Sequence, residues 1–227
     1  MFFKSKSKLM YAMAVMMAAI ALILTPSLSQ AAEEGAIRIE AGAGYGFAHF
    51  HGRYGEDFVY HPGFQWPEVL VGYESAGRAS INLRFTFSTG EASTNDYTGD
   101  WEWGYTSLAV DLRYAFMPEN RFSPYVMLGF PLFYWMALAN DEDDYISTVG
   151  LYFLDSQEDF GAIELGGGFN FYLDDKKHFA VGALAIYHFA VFNEMSIEIE
   201  NVESDTWRNT WGGVGTVFLT VSYRFFI

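Results

Sequence analysis

The side chains that could do chemistry in this chain are carboxylates, arginines and five histidines; there is no cysteine, which excludes thiolate nucleophiles, thiolate metal sites, disulfides and an acylated cysteine anchor. His49, His51 and His61 lie near Glu56 and Asp57 and offer transition-metal donors, but no tight spacing such as His-Glu-x-x-His ties them together. His188 could serve as a base, yet the residue two positions on is Ala190, so no hydroxyl nucleophile stands at that spacing. Two acidic runs stand out: Asp141-Glu142-Asp143-Asp144 with Asp155, Glu158 and Asp159, and then Glu194, Glu198, Glu200, Glu203 and Asp205. Carboxylates are the natural ligands of Ca²⁺ and Mg²⁺, but the spacing and glycine of an EF-hand loop are missing. These runs read first as solvated surface and second as weak divalent-cation sites. No catalytic residue, cofactor site or metal site is assigned.

A second set of charges is spaced differently. Arg38 and Glu40, Glu68 and Glu74, Arg84, Asp111 and Arg113, Glu164, and Arg224 sit at alternate positions of otherwise apolar segments. Such charges need elements that place them all on one side. The chain has 227 residues, 51% hydrophobic and 19% aromatic, which excludes whole-chain disorder. Its net charge of −15 argues against a nucleic-acid partner, because phosphate binding needs clustered Lys and Arg.

The first residues read as an address. Lys4, Lys6 and Lys8 precede an uncharged stretch from Leu9 to Leu24; Pro26 breaks it, and Ser29-Gln30-Ala31 offers small residues to signal peptidase. That apolar stretch is short of the ~20 residues a spanning helix needs. The expected organisation is a signal peptide over residues 1–31, cut after Ala31 or Ala32, followed by one domain over 32–227.

From Ile37 onward, hydropathy alternates with period two, the mark of strands with two unlike faces. Ile37, Ile39, Ala41, Ala43, Tyr45 and Phe47 oppose Arg38, Glu40, Gly42, Gly44 and Gly46. The pattern recurs around Val69–Glu74, Ala79–Phe87, Leu108–Phe116, Tyr125–Tyr134, Ile163–Phe171, Phe179–Phe189 and Trp211–Phe225. Short links at Glu74–Arg78, Met117–Ser123 and Asp174–Lys177 alternate with long polar ones at His49–Trp66, Ser88–Gly104, Ala137–Asp159 and Ala190–Thr210. Large apolar residues share one face while charges and glycines share the other. A soluble barrel around a ligand would put the large residues inside; lipid outside and a cramped polar lumen inside fits this pattern. The fold predicted is all-β: an antiparallel, up-and-down, eight-stranded transmembrane barrel. Aromatics at strand ends (Tyr45, Phe47, Tyr73, Tyr114, Phe116, Tyr134, Tyr223) suit interfacial girdles. Ser196–Glu200 alternates again, which extends the last hairpin above the membrane.

Three segments carry a resemblance. Leu219-Thr220-Val221-Ser222-Tyr223-Arg224-Phe225 resembles the closing strand of bacterial outer-membrane proteins, Ser123-Pro124-Tyr125-Val126-Met127-Leu128-Gly129 the fifth-strand opening of the OmpA, OmpX and opacity-type superfamily, and Gly166-Gly167-Gly168-Phe169-Asn170-Phe171-Tyr172-Leu173 its sixth-strand ending. The resemblance implies an outer-membrane location in a Gram-negative bacterium, with Leu219, Val221, Tyr223 and Phe225 as the signal read by the barrel assembly machinery. Here Phe226 and Ile227 follow the closing aromatic residue. The expected protein is a monomer among lipid and lipopolysaccharide, without cofactor, in a structural or surface-interaction role. A narrow channel is the alternative, and a lipid-modifying enzyme a second one. Tyr187-His188-Phe189-Ala190 is similar to the His-x-Ser stretch of lipid A deacylase barrels only up to the missing serine. The inward charges are expected to plug the lumen, with Glu40–Arg224 and Glu68–Arg84 as pairs and the inward glycines making room for the arginines.

Overall fold

The structure is a computed structural model that describes residues 35–51, 58–75, 78–94, 100–140, 145–151, 161–192, 195–198, 206–207 and 210–227. The leader lies outside the described residues, as do the acidic runs of the loops apart from the backbone at Glu198. Twelve strands are described: β1 (Ala36–His51), β2 (Phe58–Tyr60), β3 (Gly63–Ser75), β4 (Ala79–Thr94), β5 (Trp101–Ala115), β6 (Phe122–Asn140), β7 (Tyr145–Leu151), β8 (Gly161–Tyr172), β9 (Phe179–Phe192), β10 (Met195–Glu198), β11 (Thr206–Trp207) and β12 (Thr210–Phe226).

Eight of them form the barrel wall, in the antiparallel order β1-β3-β4-β5-β6-β8-β9-β12. The ring closes because β12 returns to β1, paired from Ala36↔Phe226 to His51↔Trp211. Closure leaves no strand edge facing lipid, the condition for a sheet to span a membrane. Ile39, Val71, Leu83, Val126, Leu165, Val181, Val217 and Leu219 are exposed on the outside, Leu219 at 75%. That outward stripe is the lipid-facing surface. Short turns gather with the start of β1 and the end of β12 at what the loop pattern marks as the periplasmic end. The β8–β9 turn is fastened there by Asp174, whose carboxylate accepts the backbone N–H groups of Phe179 at 2.8 Å and His178 at 3.0 Å. Lys177 of the same turn has φ 58° and donates from Nζ to the Pro118 carbonyl at 2.6 Å.

The wall continues well into the segments expected as loops. β4 runs to Thr94, β5 starts at Trp101, and β2 pairs with β4 above the expected strand end. At Gly129↔Glu164 the β6–β8 ladder stops, and from Phe133 onward β6 pairs with β7 instead. β10 is the strand expected in the fourth loop, but it pairs with β7 of the third loop and with β11. Two bulges shift faces. One in β3 between Gln65 and Glu68 turns both of these side chains inward, although they are an odd number of residues apart. The other, at Leu108/Ala109 opposite β6, turns Tyr134 inward beside Ser107, so it is buried and is not part of the aromatic girdle.

Candidate functional site

All nine charges picked out by their alternation (Arg38, Glu40, Glu68, Glu74, Arg84, Asp111, Arg113, Glu164 and Arg224) are buried. They point away from lipid because each shares its strand face with small or polar residues. Strand alternation sets this, and the wall then brings distant segments into contact.

At mid-height Arg84 is fully buried and joins three strands. Its Nε donates to Asp111 Oδ2 at 2.7 Å, its Nη1 to Thr86 Oγ1 at 2.6 Å, and its Nη2 to Glu164 of β8 across the lumen. Glu164 Oε1 also accepts from Tyr105 and Ser107, each at 3.2 Å, and lies 2.8 Å from His188 Nδ1. His188 thus belongs to the lumen, within 3.0 Å of the Tyr105 hydroxyl, rather than to a strand end at the membrane boundary. Ser107 donates to the same Glu164 oxygen that lies beside the His188 ring.

Nearer the periplasmic end, Glu40 is shared by Arg38 and by Arg113 Nη1, the latter at 2.9 Å. Arg38 Nη2 also donates to Asn170 Oδ1 at 2.8 Å. Arg224 grips Glu74 with both Nε, at 2.9 Å, and Nη2. Two of these arginines lie over aromatic rings, Arg113 at 4.9 Å from the centroid of Tyr125 and Arg224 at 4.7 Å from that of Tyr172. The expected pairs Glu40–Arg224 and Glu68–Arg84 are therefore replaced. The tilt of the strands carries Glu40 toward β5 and sets Arg224 beside β3, so charges at equal height on neighbouring strands do not meet.

Glu68 is the charge left without a mate: neither of its oxygens, nor either amide atom of the neighbouring Gln65, meets a protein hydrogen-bond partner. Both side chains lie along β1 where it carries glycine. A Cβ at Gly42 would come within 2.7 Å of Glu68 Oε2, and one at Gly46 within 1.6 Å of Gln65 Nε2. The room there is taken by a carboxylate and an amide and not by the arginines.

Sequence reasoning missed the extracellular third of the lumen. Trp101, Trp103 and Tyr105 are buried inside it; Phe58 meets Trp101 edge-on at 5.0 Å, and Trp103 Nε1 donates to the His61 carbonyl at 2.9 Å. The signal was the alternation Trp101, Trp103, Tyr105, which continues the β5 period back into what had read as loop. An apolar cluster of Tyr125, Met127, Leu184, Ile186 and Phe218 fills part of the lumen as well. Of the histidines weighed as metal ligands, His49 Nε2 lies 2.9 Å from the Tyr187 hydroxyl and His61 Nε2 3.1 Å from Ser93 Oγ, while the His51 side chain, Glu56 and Asp57 fall outside the described residues. Among the described residues no group of three His, Cys, Asp or Glu is placed to hold a metal.

A lipid-facing closed barrel with buried ion pairs meets its decisive comparison in the family model for the outer membrane protein beta-barrel domain, which matches residues 18–225. The chain belongs to that family. It is a bacterial outer-membrane β-barrel of the small, eight-stranded kind, as the segments resembling that superfamily implied. Among solved structures, Neisserial surface protein A is similar at 13% identity with a TM-score of 0.50, over 84% of this chain and 99% of that one. The outer-membrane protein OprG from Pseudomonas aeruginosa follows at 14% identity and 0.49, over 86% and 98%. Ail, the attachment invasion locus protein of Yersinia pestis, stands at 17% and 0.48, over 85% and 100%. No curated protein sequence matches the chain.

Proposed function

We propose that this barrel is an integral surface protein with a structural or interaction role and a plugged lumen, not an open pore or an enzyme. The observation that carries the reading is Arg84: a fully buried guanidinium bridges β4, β5 and β8 across the interior, with aromatic residues filling the lumen above it. An eight-stranded barrel encloses a space that side chains can fill, whereas porin-sized channels need roughly 16 strands. Contact with the outside then falls to the extracellular loops, whose acidic runs suit divalent cations bridging to lipopolysaccharide. The outward residues Leu219, Val221, Tyr223 and Phe225 of β12 are the stripe offered to the assembly machinery.

A narrow conduit is the second reading, favoured by the unpartnered buried atoms of Gln65, Glu68 and Ser88 along one side of the lumen. Planar-bilayer recording separates the two. The wild type should show little or no steady conductance, and Arg84→Ala should produce more frequent openings. A large, stable, ohmic conductance in the wild type overturns the plugged reading and establishes the conduit.

A further inference from the structure

The two residues beyond Phe225 are built into the periplasmic end of the wall. β12 runs on to pair Phe226 with Ala36, and the Ile227 N–H donates to the Gly35 carbonyl at 2.9 Å. Gly35 is itself seated under the ring of Tyr73 from β3, where a Cβ would come within 2.9 Å of Tyr73 Cζ. On the other side the Phe226 ring meets His178 edge-on at 5.4 Å. His178 also stacks on Tyr223 at 6.0 Å, accepts the Arg224 N–H on its carbonyl at 2.8 Å, and is tied through its ring to Asp174 at 2.9 Å. Phe226 and Ile227 thus join β3, the start of β1 and the β8–β9 turn across the closing seam.

The seam needs such a join, because its two faces do not fix its register. A slip of one residue would turn every side chain to the wrong face, but a slip of two keeps the faces. Inward Phe218 and Thr220 face Gly44 and Gly42; after a slip of two they would face Gly46 and Gly44, which are glycines as well. Outward Val221 would exchange Ala41 for Ala43. The charges favour the slip. In the observed register Arg38 faces Arg224, whereas in the slipped one Glu40 would face Arg224 and Arg38 would face Phe226. Opposite charges across a ladder stabilise it and like charges destabilise it. Glu74, gripping Arg224, and Phe47, lying over Gly215, oppose the slip from inside and outside the wall. The slip would also part Ile227 from Gly35 and Phe226 from Ala36.

We propose that Phe226 and Ile227, anchored by Gly35 and His178, form a register lock: they select the observed β1–β12 seam over one slipped by two residues, in which Glu40 would face Arg224. The lock acts on the strand ends, where the apolar and glycine positions of the middle leave the choice open. It goes beyond the plugged-lumen reading and does not rest on it.

The chain has no cysteine, so introduced pairs report the register cleanly. Ala41→Cys with Val221→Cys reads the observed seam, and Ala43→Cys with Val221→Cys the slipped one. The two pairs share one ladder type, and facing residues lie within reach of a disulfide. The full chain is refolded in detergent, checked by heat-modifiable gel migration, oxidised, boiled and run unreduced. With no other change, the first pair should link at least tenfold more than the second. Phe226→Ala with Ile227→Pro removes the ring and the N–H, and should raise the slipped link at least fivefold. Adding Glu40→Gln should cancel most of that rise. Equal linking of both pairs in the unaltered background, or an unchanged ratio in the lock variant, overturns the proposal. Ile227→Pro alone deletes one N–H from an exposed residue and is the milder form of the test. It should raise the slipped link at least twofold, and an unchanged ratio there overturns the proposal even where the double variant does not fold.

Discussion

Arg38 and Arg224 stand directly opposite each other across the β1–β12 seam, two like charges on facing inward positions. Opposed like charges destabilise a strand pair, and here each is held by its own carboxylate, Arg38 by Glu40 and Arg224 by Glu74. The seam that closes the barrel therefore depends on side chains from elsewhere, Glu74 coming from β3.

Removing Glu74 should test this. In Glu74→Gln, Arg224 keeps at most one bond, to the neutral amide oxygen, and faces Arg38 with its charge uncompensated. Breaking a buried pair from one side costs about 3–5 kcal/mol, and the position near the periplasmic mouth places the loss at about 3. The urea midpoint of the refolded barrel should fall accordingly. Glu74→Gln with Arg224→Met should recover most of it; a double variant as unstable as the single would show that the ion pair is not what holds the seam.

Gly46→Ala offers a steric test of the lumen. The new Cβ would lie 1.6 Å from Gln65 Nε2 and 3.0 Å from the Gly215 carbonyl, so Gln65 must leave its place. Overpacking of this kind costs about 1–3 kcal/mol. Adding Gln65→Ala should restore stability to near the wild type, because the remaining backbone contact is mild. Failure of that rescue in urea unfolding would mean that the strand itself, and not Gln65, resists the methyl group.

Asp174 supplies a pH dependence outside the membrane. The Phe179 and His178 backbone N–H groups, with the His178 ring at 2.9 Å, hold its carboxyl below the usual aspartate range, at about 2. A depressed carboxyl in the folded state contributes stability that is full above the ordinary value of about 4 and is lost as pH falls through about 2. The Asp174 carboxyl carbon should titrate with a midpoint near 2, and Asp174→Asn should remove the matching low-pH shift of the Phe179 amide. A midpoint near 4 would show that the turn does not select the ionised form.

Alternation alone made the barrel, its eight wall segments and the inward side of every charge from Arg38 to Arg224 legible in the sequence. What alternation could not supply were the places where it slips. Gln65 and Tyr134 sit beside bulges, and a bulge moves a side chain to the other face with no change in residue type. Partner choice among the charges was hidden for a related reason, since strand tilt decides which heights meet, and tilt is a property of the closed ring. Trp101 and Trp103 were readable in principle, but the surrounding polar residues made their segment resemble a loop.

The seam between β1 and β12 also sets a clock. The first wall strand finds its outer partner only in the last, so an unfinished chain has two bare edges and an interior of unmatched charge, Arg224 among the missing pieces. Nearly the whole length of the chain separates the two halves of that contact, the arrangement that makes folding slow. Until β12 arrives, the inward charges have no closed lumen to face, and the last strand made is the one on which closure waits.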